Sequence, residues 1–502
     1  MKGGLMVCGT SSDAGKSVLV TGLCRLLARR GVAVAPFKAQ NMSLNSYVTP
    51  SGHEIGRAQG VQALAAGLEP DVAMNPILLK PTSDTGSQVV LNGRPMADLT
   101  ARQYHERQPR LLDAVLASLA DLRARFDVVV AEGAGSPAEI NLLDHDIVNL
   151  RVAHEAGLPA LVVGDIHKGG VFAALYGTVA LLPDHYRRLV RGFVINKFRG
   201  DPTLLGDGPA QLEARCGVPT LGVLPWVEGI GLDAEDSLAL ASWPPAESAG
   251  ATGSGGGCAR AVIDVAVVRL PHLANFTDFD PLALEAAARV RLAHDPGDVA
   301  GADLVVIPGT KATVRDLEWM RRRGFVAALE AARAAGATVL GVCGGYQMLG
   351  RVIHDDVESR AGTVPALGWL DVETEFGSEK VTARRRGRAL GQPVTGYQIH
   401  HGRVVPDEGA GPWITLEGQR GGGGEGAASP DGGVLGTSLH GLFEEDGFRA
   451  AFLAGVAARR GVDFPGSSVS FSAARQDRFD RLADLIETHL DVERLLAIVD
   501  GS

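Results

Sequence analysis

The chain has 502 residues, enough for two or three domains, each with its own core. Hydrophobic residues make up 45% and charged residues 21%, a globular balance that argues against a disordered chain. A formal net charge of −10 argues against broad binding to nucleic acid or to an anionic membrane, yet leaves room for a local basic pocket.

In chain order, strands are expected near Gly4–Cys8, Val32–Phe37, Asp127–Ala131, Ala160–Gly164, Gly192–Asn196 and Thr220–Leu224. Between the first two, Leu19, Leu23, Leu26 and Leu27 fall on one face of a helix from Lys16 to Arg29, with Gly31 as its stop. The apolar region Leu158–Leu182 is interrupted by Asp165, His167 and Lys168, so no membrane-spanning helix is expected. The first residues, "MKGGLMVCGTSS", have too short an apolar run for a signal peptide, and the expected compartment is the cytoplasm. "ASWPPAESAGATGSGGGCAR", residues 241–260, has little to bury and reads as a linker.

A second series of strands follows at Val262–Val268, Asp303–Ile307, Thr338–Val342 and Val434–Leu439. The glycine-rich stretch 417–433 reads as an exposed loop, and Phe479, Leu482, Leu485, Ile486 and Leu490 mark a terminal helical region expected to pack on the second domain. The fold expected is α/β: two doubly wound, mainly parallel domains at 1–240 and 261–460, joined by 241–260 and followed by a helical appendage at 461–502.

Three stretches of the first half carry phosphate chemistry. "GLMVCGTSSDAGKSVLV" reads as a strand, a glycine-bounded loop and a helix. Backbone N–H groups of such a loop, from Thr10 to Gly15, wrap phosphates; Lys16 reaches the β- and γ-phosphates, and the Ser17 hydroxyl ligates Mg²⁺. Glu132, at the carboxyl end of the strand Asp127–Ala131, lies where open α/β sheets hold ligands, or else serves as a turn carboxylate; resemblance to dethiobiotin synthetase implies that it helps hold Mg²⁺. Asn196, in "GFVINKFRGD", is a candidate reader of adenine. Lys38 and Asp165 follow strands as candidate phosphate or substrate contacts, with a surface lysine as the alternative for Lys38.

In the second half, "GVCGGYQMLG" places Cys343 between small residues just after a strand, the pattern of a nucleophile elbow. The Gly344 N–H can serve an oxyanion hole, with a second donor from Gly309 in "IPGTK". A thiol needs a base, and His440 in "VLGTSLHGLFE" ends a strand of the same series; His400 and His401 are rivals that could instead line a substrate pocket. The other cysteines, Cys8, Cys24, Cys216 and Cys258, lack CxxC spacing, so neither a disulfide framework nor a zinc site is expected.

The phosphate loop, one residue longer than the common form, resembles that of dethiobiotin synthetase, and the second half resembles a class I glutamine amidotransferase domain. "FKAQNMSLNS", "MNPILLKPTSD", "EGAGSPAEINL", "GYQIHHGR" and "SLHGLF" extend the resemblance over nearly the whole chain, to the cobyric acid synthase family. That resemblance implies an ATP-, Mg²⁺- and L-glutamine-dependent ligase acting on a corrinoid. It would amidate the b, d, e and g carboxylates of adenosylcobyrinic acid a,c-diamide through acyl phosphates. It also implies substrate or phosphate contacts at Asn41 and Asn45. The sister cobyrinic acid a,c-diamide synthases are the nearest competing family. The partitioning ATPases, with a related loop, carry an early lysine that "GTSSDAGKS" lacks.

Two positions depart from the wider pattern. Leu442 stands where class I glutaminases have the glutamate that orients the histidine, so the orienting group is expected to be a backbone carbonyl or Glu444. His167-Lys168 stands where the family has Asp-Arg.

Overall fold

Short strands that are apolar at every position need cover on both faces, and alternating helices supply it. The computed structural model describes residues 2–82, 86–227, 263–407, 410–418, 423–466 and 469–501. It divides into a unit of Met1–Ser43, Thr49–Asp233 and Arg475–Ser502, and a unit of Leu44–Val48 and Ala234–Ala474. The expected linker at 241–260 lies outside the described residues.

The first unit is built on a six-stranded sheet in the order Thr220–Pro225, Val190–Phe198, Ala160–Asp165, Gly3–Gly9, Val128–Glu132, Val34–Phe37. Every pairing is parallel. Alternate residues feed two cores: Leu5, Val7, Val128 and Val130 face one side, and Met6, Cys8, Val129 and Ala131 the other. A smaller sheet, Gln40–Met42, Ile77–Pro81, Gly86–Leu91 and Arg94–Thr100, was not foreseen, because its strands are short and partly polar. It leads into the long helix Ala101–Arg125, started by a Thr100/Gln103 capping box.

The terminal helices Phe471–His489 and Val492–Asp500 correct one expectation. They pack on the first unit: Ile486, Leu490, Leu495 and Ile498 share a core with Leu5, Leu19 and Leu23. Arg25, Arg29 and Arg30 of the helix Lys16–Arg29 and its cap pair with Asp480, Asp484 and Glu487 at 2.8, 2.6 and 2.7 Å. Helical spacing identified an apolar face but not the surface that receives it.

In the second unit the main sheet runs Ala288–Ala293, Ile263–Val268, Leu304–Ile307, Thr338–Val342, Val434–Thr437, Ala427–Ala428, parallel except for the last pair. A second sheet is dominated by the antiparallel strands Val372–Ala389 and Gln392–Pro406. The glycine-rich stretch 417–433 also departs from its expected loop. Within its described part, Gly423–Glu425 pairs with Ile414–Leu416, and Ala427–Ala428 with Val434–Thr437. The buried Glu425 accepts from Thr437 Oγ1 and the Ser438 N–H at 2.7 and 2.6 Å, which anchors strands that composition alone does not suggest.

Helix docking on the first unit has a direct test at Gly22, where an added Cβ would sit 2.5 Å from Ile486 Cδ1 and 3.1 Å from the Leu482 carbonyl. Gly22→Val should destabilise the protein by about 1–3 kcal/mol through overpacking. Denaturant unfolding at an unchanged midpoint would contradict this packing.

Candidate active sites

The phosphate loop leaves the central strand Gly3–Gly9 and enters the helix Lys16–Arg29 through Gly15, whose φ of 100° belongs to the left-handed region. The amide of Asn196 fills the space a side chain would take there and donates to the Ala14 carbonyl at 2.9 Å. Asn196 is therefore next to the loop, with its amide braced against it. Lys16 Nζ donates to the carbonyls of Ser11 and Gly135 at 3.0 and 3.2 Å.

Glu132 is buried and gathers three side chains. Its Oε1 accepts from Ser17 Oγ at 2.9 Å and Lys38 Nζ at 2.8 Å, and its Oε2 accepts from Gln62 Nε2 at 2.5 Å. Lys38 is thus a buried member of this cluster rather than a surface group. Asp165 lies at the end of the adjacent strand, where it pairs with Lys197 at 2.9 Å and accepts from the His167 N–H at 2.8 Å. Asn41 donates to Gln59 at 3.0 Å. Asn45 belongs to the second unit, where it accepts from the Phe276 N–H at 3.3 Å.

A cavity of about 670 Å³ in the first unit is walled by the small sheet and by residues 134–149. Gly135 lines it, and the carbonyl of that residue holds Lys16.

In the second unit Cys343 ends the strand Thr338–Val342 at φ 51°, a conformation that L side chains seldom adopt. Its own N–H donates to the Thr437 carbonyl on the next strand at 2.8 Å. Close backbone approach demands glycine nearby. A Cβ on Gly345 would lie 1.9 Å from the Ile307 carbonyl, and one on Gly309 would lie 2.9 Å from His440 Cε1 and 3.8 Å from Cys343 Cβ. The Gly309 turn and Gly344 therefore border the thiol, as an oxyanion hole requires.

His440 follows the neighbouring strand and is buried, with Tyr397 stacked on its ring at a centroid distance of 5.3 Å. Its Nδ1 bonds to Asp278 Oδ2 at 2.7 Å, while Asp278 Oδ1 accepts from the Gly441 N–H at 2.9 Å. Asp278, not the expected backbone carbonyl or Glu444, is the group that holds the His440 ring at Nδ1. It sits in the short turn Phe276–Phe279, opened by Asn275 at φ 53°. Its only sequence signal was an acid in "NFTDFDP", far from any motif. Burial favours a neutral His440, but the charges of Asp278 and Cys343 outweigh it and push the pKa up to about 10.

His400 follows the opposite rule. Burial holds its pKa down to about 4, and neither ring nitrogen has a hydrogen-bond partner among the described residues. Cys8 and Cys24 are buried thiols whose pKa values burial raises, consistent with structural roles.

A phosphate loop with a buried acid–lysine cluster and a separate Cys–His–Asp triad together define a two-site amidotransferase. Residues 264–448 match the CobB/CobQ-like glutamine amidotransferase domain, and residues 5–238 match the CobQ/CobB/MinD/ParA nucleotide binding domain. The chain is 52% identical to the cobyric acid synthase of Frankia casuarinae, covering 99% of this chain and 97% of that one. It is also 52% identical to that of Streptomyces coelicolor (100% and 97% covered) and 51% identical to that of Mycobacterium marinum (99% and 96%). The chain belongs to the cobyric acid synthase family. It is a glutamine-hydrolysing ligase that uses ATP and glutamine for an amidation in cobalamin biosynthesis.

Two predictions follow from the triad and its surroundings. Asp278→Asn should lower glutamine hydrolysis roughly 100-fold, because the imidazole loses the acceptor that orients it. Amidation from added ammonium salt should persist, and equal loss with both nitrogen sources would place Asp278 outside the glutaminase. For His400, a folded pKa of about 4 lies below the unfolded value of 6.5. Its contribution to stability is complete above pH 6.5 and is lost as pH falls through 4. Unfolding measured across that window should show a shallower acid loss in His400→Gln, and parallel curves would refute the assignment.

Proposed function

We propose that the enzyme activates the b, d, e and g side-chain carboxylates of adenosylcobyrinic acid a,c-diamide as acyl phosphates and converts each to a carboxamide. The observation that carries this reading is Gly135: one residue both lines the cavity and accepts a hydrogen bond from the phosphate-loop lysine. A carboxylate arm in the cavity would therefore lie within reach of a transferring phosphoryl group. Met42, Leu79, Val89, Leu99 and Ile147 give the cavity an apolar wall suited to the edge of a macrocycle. With one phosphate loop, four carboxylates are taken in turn.

The residues around Glu132 suit Mg²⁺. Ser17 Oγ and Glu132 are hard oxygen donors in contact, and Gln62 Oε1 is a buried oxygen with no hydrogen-bond partner among the described residues, on the amide that donates to Glu132. Ser17 and Glu132 would hold the ion, which supplies charge neutralisation on the phosphates. Lys16 exchanges its carbonyl partners for phosphate oxygens and stabilises the charge of the transferring group.

In the glutaminase, His440 takes the proton of Cys343, whose sulfur attacks the glutamine amide carbon. Backbone N–H groups of Gly344 and the Gly309 turn receive the oxyanion. Collapse of this intermediate, with the proton returned to the departing nitrogen, releases ammonia and leaves a γ-glutamyl thioester for water to hydrolyse. Ammonia then displaces phosphate from the activated carboxylate. We place the enzyme in the cytoplasm, where ATP and glutamine are available.

The two half-reactions should separate by mutation. Cys343→Ser should abolish amidation from glutamine and keep amidation from ammonium salt, whereas Lys16→Ala should abolish both. Product masses after incubation with each nitrogen source provide the test. Full glutamine-dependent activity in Cys343→Ser, or near wild-type ammonia-dependent activity in Lys16→Ala, would overturn the corresponding assignment.

A further inference from the structure

Asn275 makes a contact that the reaction itself does not require. The segment Leu44–Val48 is flanked in the chain by residues of the first unit but belongs to the second. There the Ser46 backbone N–H donates to Asn275 Oδ1 at 2.8 Å, and Asn275 Nδ2 lies 3.2 Å from His440 Nε2. The segment is further tied by the Tyr397 hydroxyl, which donates to the Ser46 carbonyl at 3.0 Å, while the Tyr397 ring stacks on His440.

These contacts fix the direction of the amide. A backbone N–H can only donate, so the Asn275 atom facing Ser46 must be its oxygen, and the atom facing His440 must be the –NH₂ group. That group presents a donor to Nε2. A ring nitrogen that accepts this hydrogen bond cannot also carry a proton. With Nδ1 committed to Asp278, Nε2 is the one nitrogen left to take the proton of Cys343.

We propose that Asn275 is a positioning residue that restrains the glutaminase: while Ser46 holds its amide, Asn275 competes with Cys343, which also hydrogen-bonds to the ring, for His440 Nε2 and weakens its service as the base. The proposal rests on the assignment of Cys343 and His440 as the glutaminase pair. Asp278 and the sulfur draw a proton onto the ring, and the Asn275 amide opposes one at Nε2. The two demands meet at one nitrogen. The raised proton affinity of His440 is that of the ring with Asn275 in place, so the amide donor opposes the proton without abolishing the pull of Asp278 and the sulfur.

Release requires that the Ser46 N–H retreat from Asn275, a movement the Tyr397 hydroxyl on the Ser46 carbonyl opposes. Gln40 and Met42, a few residues earlier in the chain, line the cavity of the first unit. A corrinoid that displaces this strand acts on the Leu44–Val48 segment through covalent continuity. Glutamine would then be hydrolysed when a carboxylate is present to receive the ammonia.

The test measures glutamate release by the full chain from glutamine alone, and again with ATP, Mg²⁺ and adenosylcobyrinic acid a,c-diamide. Asn275→Gly removes the amide while permitting the left-handed backbone at φ 53°, and Asn275→Ala is a second variant without the amide. Both should release glutamate from glutamine alone about fivefold faster than wild type, the size of effect expected from one hydrogen bond. Their stimulation by the other substrates should shrink to match. Loss of a merely structural contact would slow hydrolysis rather than accelerate it. An unchanged or lower basal rate in both variants, with wild type stimulated normally, would overturn the restraint and leave the glutaminase assignment standing. A wild type that releases no glutamate even with every substrate present would overturn both.

Discussion

The hydrogen bond between Asp278 and His440 is the interaction on which the glutaminase site depends. It fixes which ring nitrogen faces the thiol, and so decides whether a buried imidazole can act as a base at all. Burying a carboxylate is costly unless its oxygens are satisfied, and both are: one by the imidazole, the other by the Gly441 N–H. The rest of the site is arranged around that ring. Tyr397 covers one face, and Gly309 leaves room at Cε1 that any side chain would fill.

The first unit solves a related problem with one buried carboxylate. Glu132 is surrounded by Ser17, Lys38 and Gln62, so its charge is balanced and its direction set before any nucleotide arrives. Preorganisation of this kind matters more than the strength of any single pair, because phosphoryl transfer depends on positioning and charge stabilisation. Lys38 acts here through the carboxylate it pairs with, and its burial makes it a poor candidate for a mobile phosphate hook.

Local signals made much of this legible in the sequence. Both parallel sheets could be read from short apolar runs, the helix Lys16–Arg29 from its leucine spacing and glycine stop, and Cys343 from its small neighbours. What escaped was long-range. Asp278 lies far from His440 in the chain, and nothing about an acid in a short turn reveals the histidine it will meet. The terminal helices showed an apolar stripe without its destination, and the strands Gly423–Glu425 and Ala427–Ala428 hid in a composition that ordinarily means loop. The resemblance implied a substrate or phosphate contact at Asn45, and nothing in the sequence showed that its segment joins the second unit, where it accepts from the Phe276 N–H.

Each site also places a positive φ just before a helix, for opposite reasons. At Gly15 the left-handed turn has Asn196 where a Cβ would be, so glycine is the residue that fits. At Cys343 the same region of φ is occupied by a residue with a side chain, at a cost of about 1–3 kcal/mol. A glycine there would relieve the strain and remove the nucleophile. Cysteine is retained, and the neighbouring glycines absorb the crowding: Gly345 lies against the Ile307 carbonyl and Gly344 against Thr310. The Cβ of Cys343 and the ring of His440 both border the Gly309 turn. A phosphate loop needs backbone N–H groups turned inward and no side chain in the way. A thiol elbow needs one side chain turned outward and held there. A positive φ before a helix serves both demands through different backbone geometries, φ 100° with ψ 23° at Gly15 and φ 51° with ψ −107° at Cys343.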